Sequence, residues 1–504
     1  MSRLFQLPFF VLLTGVGALS MYVPAMHGYA DRDYFVARIF FYSGSLFLLI
    51  AVLVGVATAT NAPSRVPRNQ LLTLLGAYTV LPVLFAVPFW EAVRDTTFYN
   101  AWWEMVSSFT TTGASLYEPS RLAPSLHLWR ALVGWMGGFF VLLTAIAILA
   151  PMHLGGFEVM SAASPGQGAA VGGLKEKAVD PGERVRRYFV TLFPAYAGLT
   201  LVLWMALQVA GDPPLVAASH AMSTLATSGI SPIGGTATAG SGAAGEFVIF
   251  FFLIFALSRQ LYPSGRTVRT KRSLIEDPEL KMALLLVTLV PALLFLRHWV
   301  GALEVDEVRD TVAAARALWG TVFTVLSFLT TTGFESADWA EAQAWSGLAT
   351  PGLILAGLAV IGGGVATTAG GVKLLRVYAL YRHGEREIER LVHPNSIGGS
   401  GAQARHIRRQ GAQISWIFFM LFALSIAVTM LGLSLTGLDF EASTIFSVAA
   451  LSNTGPLAAV TAGKPLSWAE LDTIARSIAA AAMVLGRLET LALIALLNPE
   501  FWRS

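Results

Sequence analysis

Cysteine is absent from this chain of 504 residues, and charged side chains make up only 13% of it. Without cysteine, the protein has no disulfide bond and no thiolate metal site. A typical soluble domain is about 25% charged, whereas this chain is 55% hydrophobic, so we identify it as a polytopic membrane protein embedded in a lipid bilayer. The net charge of +3 is small and is not a nucleic-acid-binding signature.

The motifs of common enzymes are also missing. We find no Asp-rich diphosphate motif, no H-E-x-x-H pair and no G-x-x-x-x-G-K-[ST] phosphate loop, each of which supplies groups that its chemistry needs. The eight histidines are scattered, and none pairs with another at a ligand spacing. We therefore expect no catalytic residue, no organic cofactor in this chain and no enzyme activity.

One short segment occurs four times in altered form, at intervals of more than a hundred residues. Each copy ends in glycine, with a hydroxyl residue directly before it and an apolar residue four positions before it. A repeat this long indicates four copies of a larger unit rather than a solenoid. The copies end in Thr111-Thr112-Gly113, Thr227-Ser228-Gly229, Thr331-Thr332-Gly333 and Asn453-Thr454-Gly455.

Polar loops in an apolar chain are suited to an ion that has left water. Rings of backbone carbonyls replace the hydration shell in potassium channels, and glycine adopts the unusual backbone angles that this requires without a steric penalty. The hydroxyl beside each glycine would add another oxygen. Four such segments converging on one axis would form a single selectivity filter. The alternative is that each is only a turn after a helix, with glycine as its cap.

Apolar runs of about 20 residues, the length that crosses a bilayer, predict an all-α membrane protein. The sequence fits ten crossings, near 4–24, 36–58, 70–92, 127–151, 186–210, 246–263, 281–302, 347–382, 413–433 and 468–497. It also fits four shorter half-helices, at 98–109, directly after 212–214, near 311–329 and near 440–451. Each repeat is then a helix, a pore helix, a loop and a second helix in a pseudo-fourfold arrangement. Irregular backbone at membrane depth is tolerated where it lines water, which favours a pore. The predicted units are two leading helices over 1–62 and repeats over 63–178, 179–276, 277–408 and 409–504.

Lysine and arginine predict the orientation, because cytoplasmic loops carry the positive excess. One set of loops is rich in these residues, and the other side holds the acidic run 304–307. Both termini are therefore predicted to be cytoplasmic. The basic loops serve as topology signals and lipid contacts or as a docking surface for a cytoplasmic partner. The loop 382–412, with its flexible Gly-Gly-Ser-Gly segment at 398–401, is the best docking candidate.

A glycine-rich segment in the third repeat predicts a broken helix. It reads Gly-Gly-Gly-Val-Ala-Thr-Thr-Ala-Gly-Gly-Val-Lys over 362–373, and glycine at this density destabilises a helix. A break beneath the filter would block the pore as a movable loop, whereas close packing of small residues between helices is the alternative. The candidate gate residues here are Gly362, Gly363, Gly364, Thr367, Thr368, Gly370, Gly371 and Lys373.

Arg487 lies near the middle of the last apolar segment. A charge at that depth costs roughly 2.5–3.5 kcal/mol on insertion scales, so it should face protein or water. Its guanidinium is suited to bond the carbonyls freed by the broken helix and to repel cations, which makes it a candidate gate residue. A structural pair with Glu489 is the alternative, although residues two apart do not face each other on a helix.

Together these segments resemble the Trk/Ktr/HKT superfamily of potassium transporters. The resemblance rests on the four filter loops, the broken helix ending in Lys373, the Gly-Arg-Leu-Glu run at 486–489 and Leu132-Val-Gly-Trp-Met-Gly-Gly138. The extra leading helix pair resembles the TrkH branch. The second and fourth filter copies depart from the usual pattern of the superfamily.

The resemblance implies potassium uptake across a bacterial-type cytoplasmic (inner) membrane. It implies K⁺ bound at the twelve filter residues given above, because glycine at all four positions accompanies potassium preference in the superfamily. It also implies a homodimer with one pore per chain, gated by the broken helix and Arg487, and controlled by a cytoplasmic TrkA-like nucleotide-binding regulatory subunit.

A second function remains open from the residues alone. A symporter would couple K⁺ or Na⁺ to H⁺ or Na⁺, and such proteins often use carboxylates inside the membrane as proton relays. Glu104 and Glu489 are the candidates here. A pH step that leaves the reversal potential unchanged would favour a channel over a symporter.

Overall fold

The fold is all-helical throughout the part of the chain that a computed structural model describes, which confirms the predicted fold class. The described residues are 9–58, 67–152, 154–159, 181–262, 274–302, 311–346, 352–393, 409–461 and 464–488. Three features named above lie outside them: the acidic run 304–307, the segment 398–401 and Glu489. So do nine of the basic loop residues that predict the orientation, which are Arg65, Lys175, Lys177, Arg266, Arg269, Lys271, Arg272, Arg405 and Arg408.

Eight helices among the described residues are long and apolar enough to cross a membrane. Seven of them coincide with predicted crossings. The eighth, Val312–Leu329, is the predicted pore helix of the third repeat, and it leads directly into the third filter loop as the shorter pore helices do in their repeats. The remaining three predicted crossings correspond to shorter or broken helices in the described part of the chain. The chain is therefore a multi-pass membrane protein.

The leading segment forms three helices, which are α1 (Phe9–Ser20), α2 (Tyr22–Ala30) and α3 (Tyr34–Thr58). The first predicted crossing, near 4–24, is thus two helices joined at Met21, and together they make one apolar span over Phe10–Ala30. Gly44 of α3 packs closely against the Ala18 carbonyl, so α3 returns alongside α1 and α2. These helices lie against the first repeat.

The rest of the chain builds four units with the same order of parts. In each, a long helix precedes a pore helix, and a loop and one or more further helices follow. The bounds are α4 (Pro67–Ala92), α5 (Phe98–Phe109) and α6 (Pro124–Thr144); α7 (Pro181–Ala210), α8 (Pro214–Ala226) and α9 (Gly242–Leu253); α10 (Pro278–Ala302), α11 (Thr311–Leu329), α12 (Trp339–Ser346), α13 (Gly352–Ile361) and α14 (Leu374–Val392); and α15 (Arg409–Ser434), α16 (Phe440–Leu451), α17 (Leu457–Thr461) and α18 (Thr473–Leu488). The division at 63–178, 179–276, 277–408 and 409–504 stays a prediction.

Two of the four pore helices α5, α8, α11 and α16 start from side-chain caps, and all four end in buried loops. Thr97 caps α5 by accepting from the Asn100 amide, and Asp439 caps α16 in the same way through the Ala442 amide. Such caps satisfy amides that a helix start leaves unpaired. The last turns are buried in all four helices, so each pore helix delivers its C-terminal end to the interior, where aligned peptide dipoles favour a cation.

The helix break predicted in the third repeat is confirmed. Helix α13 ends at Ile361 and α14 begins at Leu374; we call the intervening residues 362–373 the intramembrane loop. Its two ends are tied together, because the Val372 amide donates to the Val360 carbonyl and the Lys373 amide donates to the Ile361 carbonyl, each at 2.8 Å. The loop therefore leaves the interrupted helix and returns to it at nearly the same place.

Candidate functional site

All four filter copies end their pore helix with the same backbone turn. The amide of the residue before the glycine donates to the carbonyl five residues earlier at 2.9 Å in every copy, and the amide before that donates to the carbonyl three residues earlier at 2.9–3.3 Å. This pair of bonds is the Schellman arrangement, which satisfies carbonyls at a helix end. Four segments far apart in the chain thus share one backbone geometry.

The left-handed residue of this turn is not the glycine. It is the residue two positions earlier, with φ of 55° at Thr111, 50° at Thr227, 57° at Thr331 and 55° at Asn453. Glycine usually occupies this position, and a β-branched residue there is an outlier that costs on the order of 1–3 kcal/mol. The turn therefore caps the helix, as the alternative from sequence proposed, but it does so with a strained side-chain-bearing residue.

Three of the four glycines also use left-handed backbone. Their φ values are 73° at Gly113, 64° at Gly229 and 82° at Gly333. The prediction that every glycine is needed for its backbone angle is wrong for Gly455, which is not among the left-handed residues. Helix α17 begins two residues after Gly455, and the Gly455 amide donates to the Thr112 carbonyl at 2.6 Å.

Close packing explains why all four positions are glycine, including Gly455. A Cβ atom placed on each glycine would overlap or press on the loop of the next copy. The contacts run in chain order and close into a ring: Gly113 against Ser228, Gly229 against Thr332, Gly333 against Pro456, and Gly455 against Thr112. The four loops therefore meet around one centre, and no copy has room for a side chain at its glycine.

The hydroxyl groups before the glycines bond to their own helix ends. Thr112 bonds to Thr110 at 2.8 Å, Ser228 to Ser223 at 3.0 Å, Thr332 to Thr330 at 3.1 Å and Thr454 to Ser452 at 3.2 Å. The sequence prediction gave these hydroxyls to the ion. In the structure these hydroxyls stabilise each turn. The Thr112 hydroxyl also links two copies, because the side-chain amide of Asn453 donates to it at 3.0 Å.

The intramembrane loop lies directly against the ring. The Gly370 amide donates to the Thr331 hydroxyl at 2.7 Å, and a Cβ on Gly370 would overlap the Ser452 carbonyl beside the fourth filter copy. On its other side, the loop is held by the Glu279 carboxylate, which accepts from the Val365 amide at 2.7 Å. The loop is thus suspended between the filter and the start of α10.

Local bonds hold part of the intramembrane loop in place. Thr367 donates through its hydroxyl to the Gly364 carbonyl at 2.7 Å, and the Lys373 ammonium donates to the Ala369 carbonyl. Left-handed backbone occurs at four of its residues, with φ of 74° at Gly362, 55° at Ala366, 75° at Gly371 and 87° at Lys373. Two of these carry side chains, so the loop stores backbone strain.

Arg487 joins the ring to the intramembrane loop. Its Nε donates to the Thr110 carbonyl at 2.5 Å and its Nη1 to the Thr368 carbonyl at 2.7 Å, while only 7% of the residue is exposed. The predicted contact with a freed carbonyl of the broken helix is therefore present. A cavity of about 30 Å³ lies here, lined by Tyr78 and Lys373 as well as by Arg487.

Three contributors to this site were missed in the sequence. Pro456 presses on Gly229 and Gly333, Thr110 accepts from Arg487, and Glu279 holds the intramembrane loop. Glu279 did carry a signal, since a carboxylate at the start of an otherwise apolar span needs a partner. Pro456 carried none, because its contacts join segments more than a hundred residues apart.

An all-helical membrane protein with four pore helices converging on one centre has the architecture of an ion-transport protein, and comparison with known families agrees. The TrkH family profile, described as a cation transport protein, matches residues 242–503. The class is therefore a membrane cation-transport protein and not an enzyme.

Individual relatives narrow the class to one family. The chain is 31% identical to the Trk system potassium uptake protein TrkH of Salmonella typhimurium, over 87% of this chain and 86% of that protein. It is 32% identical to the protein of the same name from Vibrio parahaemolyticus, over 87% and 86%. The crystal structure of the potassium transporter TrkH from Vibrio parahaemolyticus superposes with a TM-score of 0.78 at 25% identity, covering 99% of both chains. The chain belongs to the TrkH family.

Proposed function

We propose that this chain carries potassium into the cell through the ring of four loops. The closed ring of glycine contacts, with the same strained turn in every copy, is the observation on which the proposal rests. Relatives named as potassium uptake proteins support the choice of ion.

The ion-binding residues are the twelve filter residues. In three copies φ is positive two residues before the glycine and positive again at the glycine, a conformation that strands and helices do not contain. This irregular backbone can turn carbonyls toward a central ion, and four helix C-termini add a favourable field. The residues are Thr111, Thr112, Gly113, Thr227, Ser228, Gly229, Thr331, Thr332, Gly333, Asn453, Thr454 and Gly455.

The gate consists of the intramembrane loop and Arg487. A guanidinium beneath a cation filter is a fixed positive charge, and in a buried environment like charges repel far more strongly than in water. Movement of the loop would break the Thr368–Arg487 bond and open the path. The loop residues in this role are Gly362, Gly363, Gly364, Thr367, Thr368, Gly370, Gly371 and Lys373.

A cytoplasmic TrkA-like nucleotide-binding subunit controls this gate, and the chain acts as a homodimer with both termini cytoplasmic. Helix α14 supports the first part, because it begins directly after Lys373 and runs to Val392, with Ile388 and Leu391 exposed near its end. A partner that binds there could pull on the intramembrane loop through a single rigid helix. The inner bacterial membrane is the location that the relatives favour.

The experiment that tests the proposal is reconstitution of the purified protein in liposomes under bi-ionic K⁺ and Na⁺ gradients, with and without the cytoplasmic subunit. We expect a reversal potential close to that of K⁺. A pH step separates the channel from the symporter, and a shift of the reversal potential would favour the symporter. Against the symporter, one of its two relay candidates is engaged elsewhere, since Glu104 pairs with Arg130 at 2.7 Å and accepts from the Leu116 amide.

A further inference from the structure

One position of the pore helices holds the loop that follows it. Nine residues before the filter glycine, the chain has Glu104, His220, Thr324 and Phe446 in the four copies. The first three are polar although each lies in a buried part of its pore helix. Buried polar side chains are costly unless they are bonded, so the partners of this position are informative.

The partners are equivalent in three copies. Glu104 accepts from the Leu116 amide at 3.0 Å, His220 bonds to the Ser231 hydroxyl at 2.9 Å, and Thr324 accepts from the Ser336 amide at 3.3 Å. Each partner stands two or three residues after the glycine. Three different side chains therefore make the same connection between a pore helix and its outgoing loop.

The geometry explains the shared offset. The pore helix ends three or four residues before the glycine, and the chain then turns and runs back beside that helix. A residue shortly after the glycine thus comes level with a residue about one and a half helical turns before the helix end. A bond between these two residues fixes the direction in which the loop leaves the glycine. It therefore constrains the backbone on both sides of the glycine.

In the fourth copy, other side chains connect the pore helix to the loop. Phe446 has no polar atom and packs its ring on Trp468, with centroids 4.6 Å apart, and the Trp468 indole donates to the Gly455 carbonyl at 3.0 Å. Here the bond falls on the glycine itself. The fourth glycine is also the one without left-handed backbone, so this copy differs in both its anchor and its conformation.

We propose that Glu104, His220, Thr324 and the Phe446–Trp468 pair are positioning residues for ion selection, which we call the loop clamps. They do not touch the ion, but they set the spacing of the loops that do. The inference rests on the proposed potassium filter. It assigns discrimination between K⁺ and Na⁺ in part to side chains behind the loops, because these side chains constrain where the carbonyls that replace the hydration shell lie.

Thr324 offers the sharpest test, because Thr324→Val keeps the shape and removes the acceptor. We expect the K⁺/Na⁺ permeability ratio from bi-ionic potentials in liposomes to fall by about 2- to 10-fold, the range that one neutral hydrogen bond supports. Thr324→Ser keeps the hydroxyl and should restore the ratio. Thr321→Val is the matched control, since among the described residues the Thr321 hydroxyl bonds only to the Ala317 carbonyl of its own helix. It should leave the ratio unchanged.

The fourth copy gives an independent arm through Trp468→Phe, which keeps an aromatic ring and removes the donor to Gly455. It should also lower the ratio, with K⁺ flux retained. The proposal of loop clamps would be overturned if the Thr324→Val and Trp468→Phe proteins elute from size-exclusion chromatography as the wild type does and keep its K⁺/Na⁺ permeability ratio. Equal losses in Thr324→Val and Thr321→Val would do so as well. A wild-type protein with no K⁺ preference would instead overturn the proposed function itself.

Discussion

The Arg487 guanidinium and the Thr368 carbonyl are joined by a hydrogen bond of 2.7 Å. This bond connects the last helix with the intramembrane loop, and the second bond of the same guanidinium reaches the Thr110 carbonyl at the end of the first pore helix. One side chain thus bonds to both the filter and the intramembrane loop, the two parts of the site that the proposed gate would move relative to each other.

Replacement of Arg487 by glutamine should raise K⁺ flux in liposomes. The change removes a buried positive charge beneath the loops and weakens two hydrogen bonds to carbonyls, so both the electrostatic barrier and the tether of the loop are reduced. Arg476→Gln is the matched control, because Arg476 lies on the same helix but bonds to Asn100 and Ala469. If Arg487→Gln and Arg476→Gln give the same flux as the wild type, Arg487 is not part of the gate.

Replacement of Gly113 by serine should weaken the preference for K⁺ over Na⁺. Serine is strained at a φ of 73°, and its Cβ would overlap the Ser228 carbonyl of the next copy. The K⁺/Na⁺ ratio in competition uptake is the readout. Gly198→Ser is the control, since a Cβ there meets nothing within 4 Å; an unchanged ratio in the Gly113 variant would count against the filter.

The Thr331 hydroxyl should restrain the intramembrane loop, so Thr331→Val should increase flux. The valine variant leaves the buried Gly370 amide without its acceptor. An unsatisfied buried donor of this kind costs roughly 1–3 kcal/mol of free energy. Thr227→Val is the control at the equivalent backbone position, where φ is nearly the same. Within the described part of the chain, the Thr227 hydroxyl bonds only to the Ala226 carbonyl. Similar flux from both variants would show that the bond to Gly370 has no bearing on opening.

Glu279 should hold the other side of the same loop. In Glu279→Leu the Val365 amide loses its acceptor, and we expect a larger open fraction in single-channel or flux recordings. Glu279→Gln keeps an acceptor oxygen and should return most of the wild-type behaviour. A leucine variant that folds and conducts as the wild type would refute this role.

The repeated features of the fold were the predictable ones. The sequence shows four similar segments, which end in Gly113, Gly229, Gly333 and Gly455. They are recognisable because the same backbone turn in each copy requires similar residues. The helix break at 362–373 was equally predictable, since glycine at that density strongly destabilises a helix.

Contacts between distant segments could not be predicted. Gly455 is glycine because Thr112 and Ala114 leave it no room. From the sequence alone, Glu104 is a candidate proton relay. In the structure it pairs with Arg130 and accepts from the Leu116 amide. Each of these facts depends on a neighbour that only the fold supplies.

The most direct test of the four-loop ring is an anomalous diffraction map from crystals grown with rubidium in place of potassium. Rubidium replaces potassium closely in size and charge and scatters anomalously. We predict a peak at the centre of the ring, with backbone carbonyls of all four copies within coordination distance. A map with no rubidium between Gly113, Gly229, Gly333 and Gly455, or with the ion bound elsewhere in the chain, would contradict the account.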